Sequence, residues 1–347
     1  MSVGPANAPE QTHPGLPQIA GSAVVVGVAR MGEGSLLAEG AVIRSDRSHV
    51  EIGTGSAVLE NSVVVGNERV PTSIGRRTVF GHRCLVIGAT VGDMCEIGNA
   101  SMLMPGARVG DRVFLGEGTL VPTGMTLPND VVAVGRPARV VRNASADDRQ
   151  RLMGLRGGDL SVPEPTAVIV EQEQERSMGQ LYAYRDIVPT VAASATLFPT
   201  AEITGDVVIG QRTIIGAGVK IIGDSHGPVR IADDVQILEN TVLHLLPDND
   251  LIIDDGVIVG PGAMIHGCRI GSRSVIEPGA IVCDGSVVGA GCVVRAGAVV
   301  KQRSRFADAT EIDGFPAVEV GRFSELPEMP AWALRPNELP DPKPSRC

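Results

Sequence analysis

Apolar positions recur every six residues along two long stretches of the chain. Stepping by six from Val91 gives Val91, Ile97, Leu103, Val109, Leu115 and Val121; stepping from Ile270 gives Ile270, Ile276, Val282, Val288, Val294 and Val300. Four residues after these aliphatics stand compact side chains: Cys95, Ser101, Ala107, Val113 and Thr119, then Ser274, Ala280, Ser286, Cys292 and Ala298. A period of six belongs neither to an α-helix nor to a flat amphipathic strand. It predicts a coil of three short strands and three turns, about 18 residues long, stacked on identical coils. The aliphatic points inward from each wall, and the compact residue sits at the corner, where a larger one would clash.

The two series lie 179 residues apart, from Val91 to Ile270, and the offset extends beyond them. Glu60-Asn61-Ser62 maps onto Glu239-Asn240-Thr241, Gly81 onto Gly260, and Gly135-Arg136-Pro137-Ala138 onto Gly314-Phe315-Pro316-Ala317. The chain is therefore a tandem duplication. We expect an arm over 1–16, a first domain over 17–143, a linker over 144–187, a second domain over 188–322 and a Pro-rich tail over 323–347. The linker predicts a helix opening at Ser145, a good N-cap before Ala146-Asp147-Asp148, and a second helix within 168–184. The tail either wraps a surface or is disordered.

Composition agrees with a solenoid. There are 43 Gly and 24 Pro but 1 Trp, 2 Tyr and 6 Phe in 347 residues, so the core must be small aliphatics with frequent tight turns. The net charge of −10 is spread without a basic stripe, which argues against a nucleic-acid partner. No apolar run reaches the length of a membrane span, and Met1–Gly15 lacks the charged-then-apolar order of a signal peptide. Cys84, Cys95, Cys268, Cys283, Cys292 and Cys347 contain no Cys-x-x-Cys pair, so a reduced, cytoplasmic protein is expected.

Segments between the repeats carry a family resemblance. Gly40-Ala-Val-Ile-Arg44-Ser-Asp46, Val50-Glu-Ile-Gly and Glu60-Asn-Ser-Val-Val resemble the γ-class carbonic anhydrase order of Arg-Gly-Asp, Ile-x-Ile-Gly and Gln-Asp-x-Ser-Val-x-His. Gly81-His82-Arg-Cys-Leu-Val-Ile-Gly88 is similar to that family's Gly-His-x-x-x-x-His-Gly. The second domain offers Glu239-Asn-Thr-Val-Leu-His244 and Gly260-Pro-Gly-Ala-Met-Ile-His266. The resemblance implies an all-β fold of two tandem left-handed parallel β-helices with short linker and terminal helices.

It also implies a metal held by three histidines, the first and third from one subunit and the second from its neighbour in a trimer. The first ligand position is Val65 in domain one and His244 in domain two. The second is His82 and then Pro261; the third is Ile87 and then His266. Neither domain keeps a full set, but the chain keeps one of each. The resemblance thus implies a composite site of His82, His244 and His266, with domain one beside domain two in one chain or in a homodimer. Three imidazoles with an open fourth position suit Zn²⁺, with Fe²⁺ or Co²⁺ as alternatives. Such an ion makes hydroxide available at neutral pH to attack CO₂ or the carbonyl of a small-molecule substrate.

The family's Arg-x-Asp is present as Arg44 and Asp46, which either flank the site or pair across the domain interface. In domain two Ile222 or Gly223 replaces the arginine, and Asp224 matches the aspartate if a one-residue insertion follows it. Leu59 and Leu238 stand where the family has a glutamine that places the metal-bound water. Glu60 and Glu239 stand at its aspartate and either orient a ligand or are structural. His226, and equally His49 in the corresponding loop of domain one, either shuttle protons or lie on the surface. Cys84 and Cys268 read as core fillers. Three functions remain open: a metal-dependent lyase or hydrolase, an acyl-CoA-dependent hexapeptide acyltransferase, and a non-catalytic scaffold.

Overall fold

The structure, a computed structural model, describes residues 15–171, 179–198, 200–224, 227–335 and 338. It consists of two left-handed parallel β-helices. The strands of the first run from Gln18 to Asn143 and those of the second from Gln180 to Arg322. Each coil has three walls. In the first solenoid, wall 1 includes Ala57–Val58, Val79–Phe80 and Glu96–Ile97, and wall 2 includes Val42–Ser45, Val63–Gly66, Leu85–Ile87 and Met102–Leu103. Wall 3 includes Val50–Ile52, Thr72–Ile74 and Thr90–Val91. In the second, wall 1 includes Gln236–Ile237, Ile258–Val259 and Val275–Ile276. Its wall 2 includes Lys220–Gly223, Val242–Leu243, Met264–Ile265 and Ile281–Val282, and its wall 3 includes Leu251–Ile253 and Arg269–Ile270.

The period of six becomes burial as expected. Val91, Ile97, Leu103, Val109, Leu115 and Val121 all point into the first core, and Ile270 to Val300 line the second. Burying each such side chain stabilises by about 1.5–3 kcal/mol, so the core is a continuous aliphatic column. The compact residues are buried at corners, where hydroxyls cap the next coil's carbonyls: Ser62 Oγ donates to Gly81 O at 2.9 Å and Ser274 Oγ to Gly289 O at 2.8 Å. In the first solenoid the long strand Val24–Met31 turns a corner at Gly27, joining walls 2 and 3. Gly27 has φ +81°, and a β-carbon there would lie 2.0 Å from Ser45 O, so only glycine fits.

Antiparallel hairpins close both solenoids, Val131–Val134 with Arg139–Asn143 and Thr310–Gly314 with Ala317–Arg322. The linker begins as expected with a helix, Ala146–Leu155, capped by Ser145 in a reciprocal capping box with Asp148. The second expected helix is absent among the described residues: Val168–Glu171 is a strand antiparallel to Val28–Met31, and Gln180–Tyr182 pairs with Glu202–Gly205. Three consecutive β-branched residues, Val168, Ile169 and Val170, set against an open sheet edge favour the strand there. Terminal helices are likewise missing among the described residues, where Ala146–Leu155 is the one α-helix. No helix there is long and apolar enough to cross a membrane.

The two solenoids pack side by side. A third apolar cluster joins Val63, Val65, Leu85, Ile87 and Met102, on the outside of wall 2 of the first, to Ile214, Leu238, Ile258, Val275 and Val293 on the outside of wall 1 of the second. The tail residues Trp332, Ala333 and Leu334 belong to the same cluster.

Candidate functional site

His244 follows Val242–Leu243 and His266 follows Met264–Ile265, two strands paired in parallel with Val242 opposite Met264. The fold therefore places the two imidazoles on successive coils at the same edge of wall 2. Their ring centroids are 6.3 Å apart with planes at 80°. Asp284 Oδ2 lies 3.5 Å from His266 Nδ1, and Asp224 Oδ2 lies 3.9 Å from His244 Nε2. His266 Nδ1 is buried and has no hydrogen-bond partner. Cys283 stands beside Asp284, its thiol pushed up by burial and by that carboxylate.

His82 sits elsewhere, in the turn between walls 1 and 2 of the first solenoid. Its Nδ1 is 2.8 Å from Asn99 Oδ1 and its Nε2 is 3.0 Å from Glu60 Oε2. Its side chain is 53% exposed, while the Gly40 and Asn61 backbone oxygens of the same corner accept from Asn240 Nδ2 of the second solenoid. Among the described residues no three His, Cys, Asp or Glu side chains gather into a metal-holding group. The single chain thus brings His244 and His266 together and does not bring His82 to them.

The physical reason lies in which surfaces the solenoids use. The contact between them takes wall 2 of domain one and the corner between walls 1 and 2 of domain two. Val65 and Ile87, which correspond to His244 and His266, are fully buried in it. Pro261, which corresponds to His82, is buried at the corner. Beside it a β-carbon on Gly262 would lie 2.8 Å from Leu85 Cδ2. The ligand positions inside the chain's own interface are all apolar.

Arg44 and Glu239 meet in this sealed cleft. Arg44 Nε donates to Glu239 Oε1 at 2.5 Å and Arg44 Nη2 donates to Trp332 O at 2.8 Å. Arg44 therefore pairs across the interface, as one sequence reading held, although its partner is Glu239 and not Asp46. Asp46 Oδ1 instead lies 3.0 Å from His49 Nδ1. Pairing of Lys220 with Val242 puts Ile222 at the arginine's place and Asp224 at the aspartate's. His226 lies outside the described residues.

Of the two readings of the tail, the wrapping one fits residues 331–334, and what the sequence did not show is which surface they cover. Gln236 Nε2 donates to Leu334 O at 2.7 Å, Asn67 Nδ2 donates to Ala331 O at 2.8 Å, and Arg69 holds Glu338 with Nη1 to Oε1 at 2.5 Å. That pairing keeps the Glu338 carboxyl below the usual range. The available signal was the chain's one tryptophan, set among prolines. Asp284 and Asn99 beside the histidines were also missed, because each neighbour comes from a different coil.

Comparisons with known proteins agree on the repeat and on its kind. Residues 267–302 match the family described as Bacterial transferase hexapeptide (six repeats), and residues 71–103 match Hexapeptide repeat of succinyl-transferase. A carbonic anhydrase of Geobacillus kaustophilus (strain HTA426) is 40% identical over 104 residues, 30% of this chain and 57% of that protein. The mitochondrial γ carbonic anhydrase 1 of Arabidopsis thaliana is 33% identical over 136 residues, 38% of this chain and 50% of that protein. Over these stretches the chain carries hexapeptide repeats and resembles γ carbonic anhydrases. It spans about half the length of the curated relatives it matches. A solved hexapeptide transferase family protein from Anaplasma phagocytophilum is 27% identical, covering 42% of this chain and 86% of that one with a TM-score of 0.40.

Proposed function

We propose that the chain serves a metal-dependent lyase or hydrolase reaction of γ-carbonic-anhydrase type, on CO₂ or a small carbonyl compound. His244 and His266 are two ligands, and His82 is a ligand at the first solenoid's corner. The observation that carries this reading is the His244–His266 pair on successive coils, 6.3 Å apart, with Asp284 Oδ2 3.5 Å from His266 Nδ1. Two imidazoles sharing a tetrahedral ion, with metal–nitrogen bonds of about 2.0–2.1 Å, stand with ring centres about 5 Å apart. Side-chain rotation closes the difference, so the pair fits an ion. Bound Zn²⁺, Fe²⁺ or Co²⁺ supplies a Lewis acid and an activated water at neutral pH.

The chain's own groups do the rest. Asp284 orients His266 through Nδ1 and leaves Nε2 as the ligating nitrogen. Glu60 and Asn99 fix the plane of His82. Leu59, beside the His82 corner, supplies no side-chain hydrogen bond to a water, which favours a carbonyl substrate over rapid CO₂ hydration. Cobalt titration of the full chain tests the reading. A ligand-field spectrum should appear and weaken in both His244→Ala and His266→Ala. Metal-dependent hydration or ester hydrolysis by protein isolated from its own cells should fall with it. An unchanged spectrum in the double variant overturns the reading, and metal-independent acetyl transfer from acetyl-CoA replaces it with the acyltransferase.

A further inference from the structure

The tail does more than close the cleft between the solenoids. Between the closing hairpin and Trp332 it crosses the outside of wall 1 of the second solenoid and leaves a cavity of about 510 Å³ against it. One side of that cavity is Val275 and Val293, paired on successive coils, with Glu277 and Arg295 just beyond them. Phe323 and Trp332 line it from the tail, and the first solenoid closes the far side. The volume falls within the range of small-molecule sites, about 300–1,000 Å³. The cavity shares no residue with the His82 corner or with the His244–His266 pair.

Its charge is of one sign. Arg295 is the one cation on the lining, and it is already engaged: Nη1 donates to Glu277 Oε1 at 2.9 Å and Nε donates to Glu311 Oε1 at 2.8 Å. Glu277 Oε2 in turn accepts from the Ala296 backbone at 2.9 Å. That network is closed and sets two carboxylates against one guanidinium. Glu325 and Glu328, exposed at the rim, have no ion-pair partner among the described residues. Negative charge in excess between apolar walls focuses a field that draws cations in.

The tryptophan supplies an independent observation. Trp332 is 4% exposed, and a buried indole N–H ordinarily finds an acceptor. Its carbonyl is bonded by Arg44, but its Nε1 donates to no atom among the described residues. That nitrogen is not sealed within protein, and the ring borders this cavity. An occupant with an oxygen acceptor satisfies it. Aromatic rings beside unpaired carboxylates hold organic cations, through the ring quadrupole and through the charges themselves.

We propose that this cavity binds a small organic ammonium ion that also carries a hydroxyl or carbonyl oxygen. The ammonium lies against Phe323 and Trp332, with Glu325 and Glu328 at the rim, and the oxygen accepts from Trp332 Nε1. Since the tail forms one side of the site, occupancy also holds the tail on wall 1.

Choline, a methylated ammonium with one hydroxyl, is the probe. Equilibrium dialysis of the full chain should show saturable binding of one choline per chain, and Trp332 emission should change over the same concentrations. The uncharged isostere, with carbon in place of nitrogen, should bind at least tenfold more weakly. Choline should lose at least tenfold in affinity for the double variant Glu325→Gln, Glu328→Gln, whose changes lie on the exposed rim and should leave the circular dichroism of the coils unchanged. Phe323→Leu should weaken choline and spare the isostere, which separates attraction to the ring from burial alone. An isostere that binds as tightly as choline would make the cavity a merely apolar crevice and overturns the proposal. Undiminished binding by the double variant, tetramethylammonium as tight as choline, unmoved Trp332 emission, or no saturable binding at millimolar choline overturns it as well.

Discussion

Arg44 and Glu239 form an ion pair between the two solenoids with 5% and 1% of their side chains exposed and an Nε–Oε1 distance of 2.5 Å. The pair sits where the family resemblance places active-site residues, yet it is roofed by Trp332 and flanked by Val65 and Ile87. Glu239 Oε2 has no hydrogen-bond partner there. A buried charge that loses its partner is costly, about 3–5 kcal/mol, whereas replacing both members by apolar groups is often neutral. Arg44→Ala should therefore lower unfolding stability by about 3–5 kcal/mol. The double variant Arg44→Met, Glu239→Leu should recover most of that. Denaturant titration decides it: a double variant as unstable as the single one would mean that the pair's geometry, not its charge balance, is what the interface needs.

The same cleft shows where sequence reading stops. Its hexads place every inward aliphatic, because one residue in six is fixed by the coil itself. Outward residues obey no such period, so nothing marks Leu85 and Met102 as interface and their counterparts Met264 and Ile281 as open wall. The three histidines were legible as positions, but the separation of His82 from the His244–His266 pair was not, since that depends on which corner meets which wall. The stretch 168–171 reads ambiguously because its pairing partner, Val28–Met31, lies far away in the chain.

Trp332 is the chain's one tryptophan and is 4% exposed, so its fluorescence reports the seat of the tail directly. Native emission should be blue-shifted and should move red when the tail leaves. Trp332→Ala removes a large side chain from a closed cluster and should cost about 3–5 kcal/mol. Gln236→Ala removes the side chain that bonds Leu334 in both directions. It should shift the emission red without unfolding the coils, as judged by circular dichroism. Unshifted emission in Gln236→Ala would show that apolar contacts alone hold the tail.

Thiol reactivity follows from burial. The Cys84 and Cys95 thiols are pushed up to about 12 by burial, and Cys268 is raised by the same cause. A thiol whose pKa is raised stays protonated until the pH approaches that value, and the thiolate is the nucleophile. Raising the pH from 7 to 9 should therefore leave these three unalkylated in the folded protein. Cys283, on the open wall, should react faster across the same range. Peptide mapping after iodoacetamide gives the pattern. Modification of Cys84 or Cys95 at a rate matching Cys283 would contradict the corner placement of those side chains.

Asp284 tests the histidine pair from its flank. It lies 3.5 Å from His266 Nδ1, and its Oδ1 accepts from the backbone of Gly267 at 3.2 Å and from Asn249 Nδ2 at 3.2 Å. Those bonds hold the carboxylate still, so its effect on His266 is one of positioning. Loss of such an outer partner costs about 10–100-fold in metal affinity. Asp284→Asn keeps the shape and one acceptor, so the coils should survive while cobalt affinity falls by about that factor. Ligating imidazoles must be neutral, so affinity in the parent should also decline as pH falls. Chelator competition at several pH values measures both. Asp284→Asn should lower affinity most at neutral pH, where the histidines are free to bind, and least at acid pH, where protons already compete. An equal loss at every pH, or loss together with a lower unfolding temperature, would mean that Asp284 supports the turn at Gly267 and leaves the metal to other groups.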